Sequence, residues 1–414
     1  MQPGALADLR VLELTAGMAG PWIGRFMAWC GAEVIKVESK TRPDVTRQYV
    51  PPWAPERGIE PQLSPWFTDW NAGKRFVALD LKHPEAVALA KRLVARCDVV
   101  VENYAPGVLE KLGLGWEELA RVKHDLVLLS TSGFGDSGPY RSHVTWGPNI
   151  EAVSGLATTS GFAERPCTMT HYAYPDSLSA LHGLFAVMCA LDHRSRTGEG
   201  QRIDLSQLEA TIAVYGEALV EPLVRGRAVE RLGNRSRHAA PHGCYSCAGE
   251  DRWCAISVFD DEAWRRLCRV AEHPEWIEEP RFATLDARLA NVAELDRRIE
   301  SWTREHDAFE LMESLQAAGV AAGVVQTTED QYRRDPQLAA RDFFEEIEHR
   351  VKGTVVATGI PLGLRGTPGR TPHAGSAVGE DNDYVFGEIL SLTSDERRRL
   401  TESGAIEPRD EPRR

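Results

Sequence analysis

Asp176, in the run Tyr172-Ala173-Tyr174-Pro175-Asp176-Ser177, is the residue best placed for covalent chemistry in this chain of 414 residues. It stands immediately before the most apolar stretch, Leu178 to Leu191, which reads as a buried helix beginning near Ser177. A carboxylate at a helix start has its charged form stabilised by the dipole and the free amides, so it stays ionised at neutral pH, and such a group can act as a nucleophile. The same physics makes an ordinary N-cap of an aspartate in that position. Periodicity alone does not choose between the two.

Two other constellations invite chemistry and fall short of it. Gly133-Phe134-Gly135-Asp136-Ser137-Gly138 matches the spacing of a dinucleotide fingerprint. Pro139-Tyr140-Arg141-Ser142 follow it instead of a helix, and no acidic residue ends a second strand ~20 residues on, so it reads as a glycine-rich turn. Cys244-x-x-Cys247, with Cys254, His238 and His242 nearby, lacks the second ligand pair that a structural zinc site uses and reads as core cysteines of a strand hairpin. His171 and His182 have no nameable partner and are read as structural.

The elements that must position Asp176 follow an alternating pattern. Leu9–Leu14 reads as a strand, Pro21–Cys30 as a helix and Ala32–Glu38 as a second strand, a compact βαβ unit. Phe76–Leu81, the helix from Pro84 to about Ala95, and Val99-Val100-Val101 repeat that order, and Leu126–Ser130 adds a further apolar strand. The fold class is therefore α/β, a Rossmann-like parallel sheet covered by helices on both faces. The length calls for more than one core. Residues 1–210 read as the first part of the large domain, 211–243 as a linker rich in Arg, His, Asn and Pro, 244–325 as a smaller α+β domain, and 326–414 as a return to the large domain.

Bulk composition narrows the function classes. A net charge of −13 repels polyphosphate, so no nucleic-acid partner is expected. The Leu178–Leu191 stretch is interrupted by Ser179 and His182 and falls short of the ~20 residues that cross a bilayer, so no membrane partner is expected either. No apolar leader with a cleavage site opens the chain, and the eight cysteines show no disulfide framework, which points to the cytoplasm and free thiols.

Taken together, the ordered blocks resemble class III CoA-transferases of the CaiB/BaiF type. They are Leu9-Arg10-Val11-Leu12-Glu13-Leu14, Ala19-Gly20-Pro21, Gly31-Ala32-Glu33-Val34-Ile35-Lys36-Val37-Glu38, Asn71-Ala72-Gly73-Lys74-Arg75, Leu79-Asp80-Leu81-Lys82 and Glu102-Asn103-Tyr104-Ala105-Pro106-Gly107. Ser154-Gly155, Asp176, Arg194, Thr197-Gly198-Glu199-Gly200-Gln201, Gly233-Asn234-Arg235, Asp335-Pro336 and Gly379-Glu380-Asp381 continue the match in order. The family includes formyl-CoA transferase, carnitine CoA-transferase and the α-methylacyl-CoA racemases.

The resemblance implies transfer of CoA from an acyl-CoA donor to a carboxylic acid, with Asp176 as the catalytic carboxylate that forms first a mixed anhydride and then an aspartyl-CoA thioester. It also places Met18, Ala19, Leu79, Leu81, Lys82, Asn103, Tyr104, Val108 and Lys111 at the CoA site, requires no metal, and implies an interlocked homodimer threaded near residues 210–243 and 320–350. Three departures matter. Pro175 precedes the aspartate where many relatives have Gly, and the glycine-rich closing loop of formyl-CoA transferase has no counterpart. The acid/base histidine of the racemase branch falls on Trp146, with His143 three residues away, and its glutamate falls at or near Ser246, which disfavours racemisation. The alternative readings are a racemase or isomerase on this fold, a nicotinamide enzyme using the glycine turn, and a silent acyl-CoA-binding protein in which Asp176 is only a cap.

Overall fold

A computed structural model describes residues 3–48, 64–170, 172–226, 229–350 and 352–410. The chain divides into two units: residues 1–156, 169–219 and 337–414 form the first, and residues 157–168 and 220–336 the second.

The first unit is built on a six-stranded parallel sheet, order β3-β2-β1-β4-β5-β6. Its strands are β1 (Arg10–Leu14), β2 (Glu33–Glu38), β3 (Arg75–Ala78), β4 (Val99–Glu102), β5 (Val127–Ser132) and β6 (Gln201–Ser206). The central strands are apolar along their length because helices cover both faces, so Val99, Val100 and Val101 are all fully buried. Alternate residues feed two cores. Leu12, Leu14, Ile35, Val77 and Val100 point to one side, and Val11, Val34, Val99 and Val101 to the other.

The helices that matter for the site are α1 (Ala19–Trp29), α2 (Pro84–Val94), α3 (Gly147–Val153), α4 (Tyr174–Thr197) and α5 (Gln207–Ala213). α1 joins β1 to β2 and lies on the same sheet face as α4. Gly183 of α4 makes that approach fit, since a Cβ there would stand 2.9 Å from Ile23 Cδ1 and 3.0 Å from Leu129 Cδ2. At the far end of α4, Gly198 with φ +77° ends the helix in the left-handed conformation, which costs glycine little. The strand order reverses between β1 and β4, so the loops leaving these two strands flank the crevice in which such sheets hold ligands.

The second unit has an antiparallel sheet of β7 (His242–Ser246), β8 (Trp253–Ser257) and β9 (Ala321–Val324). Three of its helices are α6 (Asp261–Val270), α7 (Val292–Thr303) and α8 (Ala308–Ala317), and Trp264, Leu267, Leu295, Ile299 and Leu315 bury one core with the sheet. The stretch expected as a linker over 211–243 also contains a helix, Glu217–Arg225. The chain then returns to the first unit with a hairpin, β10 (Phe344–His349) and β11 (Gly353–Thr358). Among the described residues no helix is long and apolar enough to cross a membrane, and all eight cysteines are free thiols.

Candidate active site

Asp176 is not an N-cap. α4 starts two residues before it, with Ala173 at the cap, Tyr174 and Pro175 at the first two helical positions, and the aspartate third. Proline is well suited to that first turn because its missing N–H would have had no intrahelical partner, so the Tyr-Pro pair opens the helix and does not precede it. The Ala173 cap makes no side-chain bond. His171, two residues before the cap, lies outside the described residues.

The carboxylate of Asp176 meets other helix starts. It faces the backbone amide of Ala19, the first residue of α1, whose own cap, Met18, supplies no side-chain bond. On the other side lies Gly147, the first residue of α3: a Cβ there would stand 2.5 Å from Asp176 Oδ2 and 3.1 Å from Ala173 Cβ. Oδ2 is buried and makes no hydrogen bond among the described residues. Burial pushes the carboxyl up to about 6 from an ordinary 3.8, with the Ala19 amide and its own amide pulling the other way. Desolvation thus outweighs the amides, which the sequence does not reveal, yet a carboxyl near 6 is still largely ionised at neutral pH.

Neighbouring groups fix the elements that carry this carboxylate. Glu151 on α3, itself buried, accepts from the Thr170 amide at 2.8 Å and faces its hydroxyl at 3.2 Å, tying the segment that precedes α4 to α3. Ser179 Oγ donates to the Pro175 carbonyl at 2.5 Å within the first turns of α4. Beneath α1, the charged residues of β1, β2 and the loop before β3 form a buried network. Lys36 Nζ reaches Glu13 Oε1 at 3.1 Å and Asp44 Oδ2 at 3.0 Å, and Lys74 Nζ reaches Glu13 Oε2 at 2.8 Å, with all three of Glu13, Lys36 and Lys74 fully buried. Arg47 pairs with both oxygens of Glu38 beside it, at 2.9 and 2.6 Å.

The nine residues expected at the CoA site lie on loops and helix starts beyond the carboxyl ends of β1, β3 and β4. Their surroundings differ. Met18, Ala19 and Leu79 are buried, so what they offer a ligand is backbone. Asn103 spends its amide on the β1–α1 turn, accepting from Ala16 N at 2.9 Å and donating to Ala16 O at 2.8 Å. Leu81 and Tyr104 pack against the core, and Val108 is half-buried. Lys82 and Lys111 are exposed cations with no ion pair among the described residues. Close by, burial pushes the Glu102 carboxyl at the end of β4 up to about 7.

The remaining motifs take no part in this arrangement. The Gly133–Gly138 run is a turn after β5, and the next helix, α3, begins only at Gly147. Among the described residues no cluster of His, Cys, Asp or Glu is arranged to hold a metal. Trp146, the residue on which the resemblance sets the racemase base, caps α3 and is 62% exposed. His143 stacks on Tyr140, with ring centroids 5.0 Å apart, and Ser246 donates to Glu300 at 2.9 Å.

Comparison with known proteins decides the family. Residues 6–382 match the model of CoA-transferase family III. The chain belongs to that family. Succinyl-CoA–D-citramalate CoA-transferase of Chloroflexus aurantiacus is 36% identical over 394 residues, covering 95% of this chain and 96% of the relative. Succinate–glutarate CoA-transferase of Agrobacterium fabrum is 31% identical, covering 94% and 96%. The crystal structure of a CaiB/BaiF family protein from Brucella suis superposes with a TM-score of 0.86 at 30% identity, covering 94% of this chain and all of that one. The protein is thus a CoA-transferase, an enzyme with CoA thioesters as substrates, on the α/β fold with the six-stranded parallel sheet.

Proposed function

We propose that this enzyme moves CoA from an acyl-CoA to a free carboxylic acid through covalent intermediates on Asp176. The carboxylate attacks the donor thioester carbonyl and expels CoA thiolate, leaving a mixed aspartyl-acyl anhydride. The thiolate returns to the aspartyl carbonyl and releases the donor acid, giving an aspartyl-CoA thioester. The acceptor carboxylate then attacks that thioester, and the thiolate expelled attacks the acyl carbonyl of the new anhydride, so Asp176 is regenerated and the acceptor leaves as its CoA thioester. The single observation that carries this reading is the buried, hydrogen-bond-free Oδ2 of Asp176 at the meeting of the α1, α3 and α4 starts. A carboxylate stripped of water is a stronger nucleophile, and uncapped helix amides are suited to the oxyanion of each tetrahedral intermediate.

On this reading CoA lies along the crevice between the loops after β1, β3 and β4. Lys82 and Lys111, exposed and without an ion pair among the described residues, meet its phosphates, the backbone at Met18, Ala19 and Leu79 lines the path of the thioester, and Leu81, Tyr104 and Val108 supply apolar contact. Asn103 shapes the crevice by holding Ala16. The two relatives named above act on succinyl-CoA with citramalate and on succinate with glutarate, so small dicarboxylic acids are the first acceptors to try. The aromatic pair Tyr172 and Tyr174 next to the aspartate, with ring centroids 5.1 Å apart, keeps an aromatic acyl group on the panel.

The same reading includes a homodimer, interlocked as the family resemblance implies. Its support is the outer face of α4, where Tyr174, Leu181 and Phe185 are 45, 53 and 71% exposed at helical spacing. The eight free thiols fit the cytoplasm. A panel of acyl-CoAs against free acids tests the assignment: exchange is expected in the wild type and absent in Asp176→Asn. Sedimentation on dilution tests the dimer, for which a reversible folded monomer is the contrary result.

A further inference from the structure

The turn that presents Ala19 to Asp176 is held by four polar side chains, of which Lys36, Asp44 and Lys74 are buried and Asn103 half-buried. Lys36 Nζ donates to the Thr15 carbonyl at 2.8 Å. The Asn103 side chain pairs with both backbone groups of Ala16. Asp44 Oδ1 accepts from the Gly17 amide at 3.1 Å, and Lys74 Nζ donates to the Pro21 carbonyl at 2.7 Å. Thr15, Ala16, Gly17 and Pro21 are therefore each tied, and Ala19 lies between the tied residues. Even the helix is cut to fit: a Cβ at Gly24 would stand 1.9 Å from Glu13 Oε2, and one at Gly20 would stand 2.6 Å from Thr15 Cγ2.

Lys74 is the costly member of this set. Its ammonium is fully buried and spends its three protons on Pro21 O at 2.7 Å, Asn71 Oδ1 at 2.9 Å and Glu13 Oε1 at 3.1 Å. Desolvating such a pair cancels much of its attraction, and well-packed apolar side chains often serve stability as well or better. What an apolar side chain cannot do is hold the Pro21 carbonyl and the Glu13 carboxylate at fixed distances. A displacement of about 1 Å at a reacting centre costs about 100-fold in rate, so fixing the start of α1 has a kinetic value that stability alone does not record.

We propose that Lys74 is a positioning residue for CoA transfer, which, through Glu13 and the Pro21 carbonyl, holds the start of α1 and its Ala19 amide against Asp176. The proposal rests on the reading of Asp176 as the nucleophile. Lys74 touches neither substrate nor the reacting atoms. Its contribution is geometric, and the charges that face it are Glu13 on β1, Lys36 on β2 and Asp44 in the loop after β2.

The test is the double variant Lys74→Met/Glu13→Gln, which removes one positive and one negative charge together and leaves Lys36 with Asp44. Acylation of Asp176 is followed in a single turnover by hydroxylamine trapping, and CoA affinity by titration with CoA alone. The proposal expects a folded protein that binds CoA within about threefold of wild type and acylates about 30–100-fold more slowly. A folded double variant acylating within about threefold of wild type overturns it, as does an equal loss in CoA affinity and acylation. If that variant does not fold, Lys74→Arg takes its place, since it keeps the positive charge and changes the reach to the Pro21 carbonyl and Asn71. Slower acylation at unchanged CoA affinity supports the proposal, and wild-type acylation overturns it. Absence of label on Asp176 in the wild type instead removes the nucleophile assignment on which the proposal stands.

Discussion

Replacing Asp176 by Asn should stabilise the protein at neutral pH while abolishing transfer. The carboxyl stands at about 6 against an ordinary 3.8, chiefly through burial, so holding it ionised in the folded state works against folding. At about 1.4 kcal/mol per unit the penalty reaches up to about 3 kcal/mol at pH 7. Asn keeps an acceptor for the Ala19 amide but sets an amide nitrogen where Oδ2 now lies beside Gly147 without a partner, which returns about 1–2 kcal/mol of that gain. A net gain of about 1–2 kcal/mol is expected at pH 7. The sign of the pH dependence follows from the raised folded value. The folded state holds its proton to higher pH than the unfolded one, so the wild type loses stability as pH rises from about 4 to about 6, and below that window both forms are neutral. Urea denaturation of wild type and Asn variant at several pH values measures the difference, which should be least near pH 4 and full above about pH 6. A difference that is constant across this range, or an Asn variant less stable than wild type at pH 7, would refute the claim that desolvation dominates at Asp176.

Gly147→Ala puts a methyl group 2.5 Å from Asp176 Oδ2, so the carboxylate must rotate away; acylation should fall about 100-fold for a stability cost of about 1–3 kcal/mol, and wild-type single-turnover rates in this variant would contradict the geometry. The acylation rate of the wild type should decline tenfold per pH unit below about 6 as Asp176 takes up its proton, and a limb placed near pH 4 would mean an ordinary, solvated carboxyl. No α-proton of a 2-methylacyl-CoA should exchange with solvent, because the family resemblance sets Trp146 where the racemase branch has its histidine and an indole cannot accept a proton; deuterium wash-in at a rate comparable with CoA exchange would overturn this.

The sheet was legible in the sequence because its central strands are apolar on both faces: Val99-Val100-Val101 reads as covered strand by composition alone. The strand β10, Phe344-Glu345-Glu346-Ile347-Glu348-His349, escaped that reading, because only Ile347 and His349 are buried and three glutamates break any apolar run. The start of α4 was read three residues late for a different reason. Tyr174-Pro175 looks like a loop before a helix, and only the geometry shows proline in the first turn. Gly147 gave no signal of its own, since Trp146-Gly147-Pro148 is indistinguishable from a turn until the carboxylate is seen to occupy the space of its missing side chain. The buried network did leave a trace. Glu13 inside Val-Leu-Glu-Leu and Lys36 inside Val-Ile-Lys-Val are charges set in strands that have no solvent face, and such charges must find one another.

Trapping the covalent enzyme tests the central claim most directly. Acyl-CoA supplied without an acceptor should leave a fraction of the enzyme as the anhydride or the aspartyl-CoA thioester, and hydroxylamine should convert it to an aspartyl hydroxamate on the peptide containing Tyr174-Pro175-Asp176. Peptide mass spectrometry should find that label on Asp176 in the wild type and nowhere in the Asp176→Asn variant. Turnover persisting in the variant, or the label on Cys247 or any other residue, would contradict the assignment of Asp176 as the nucleophile.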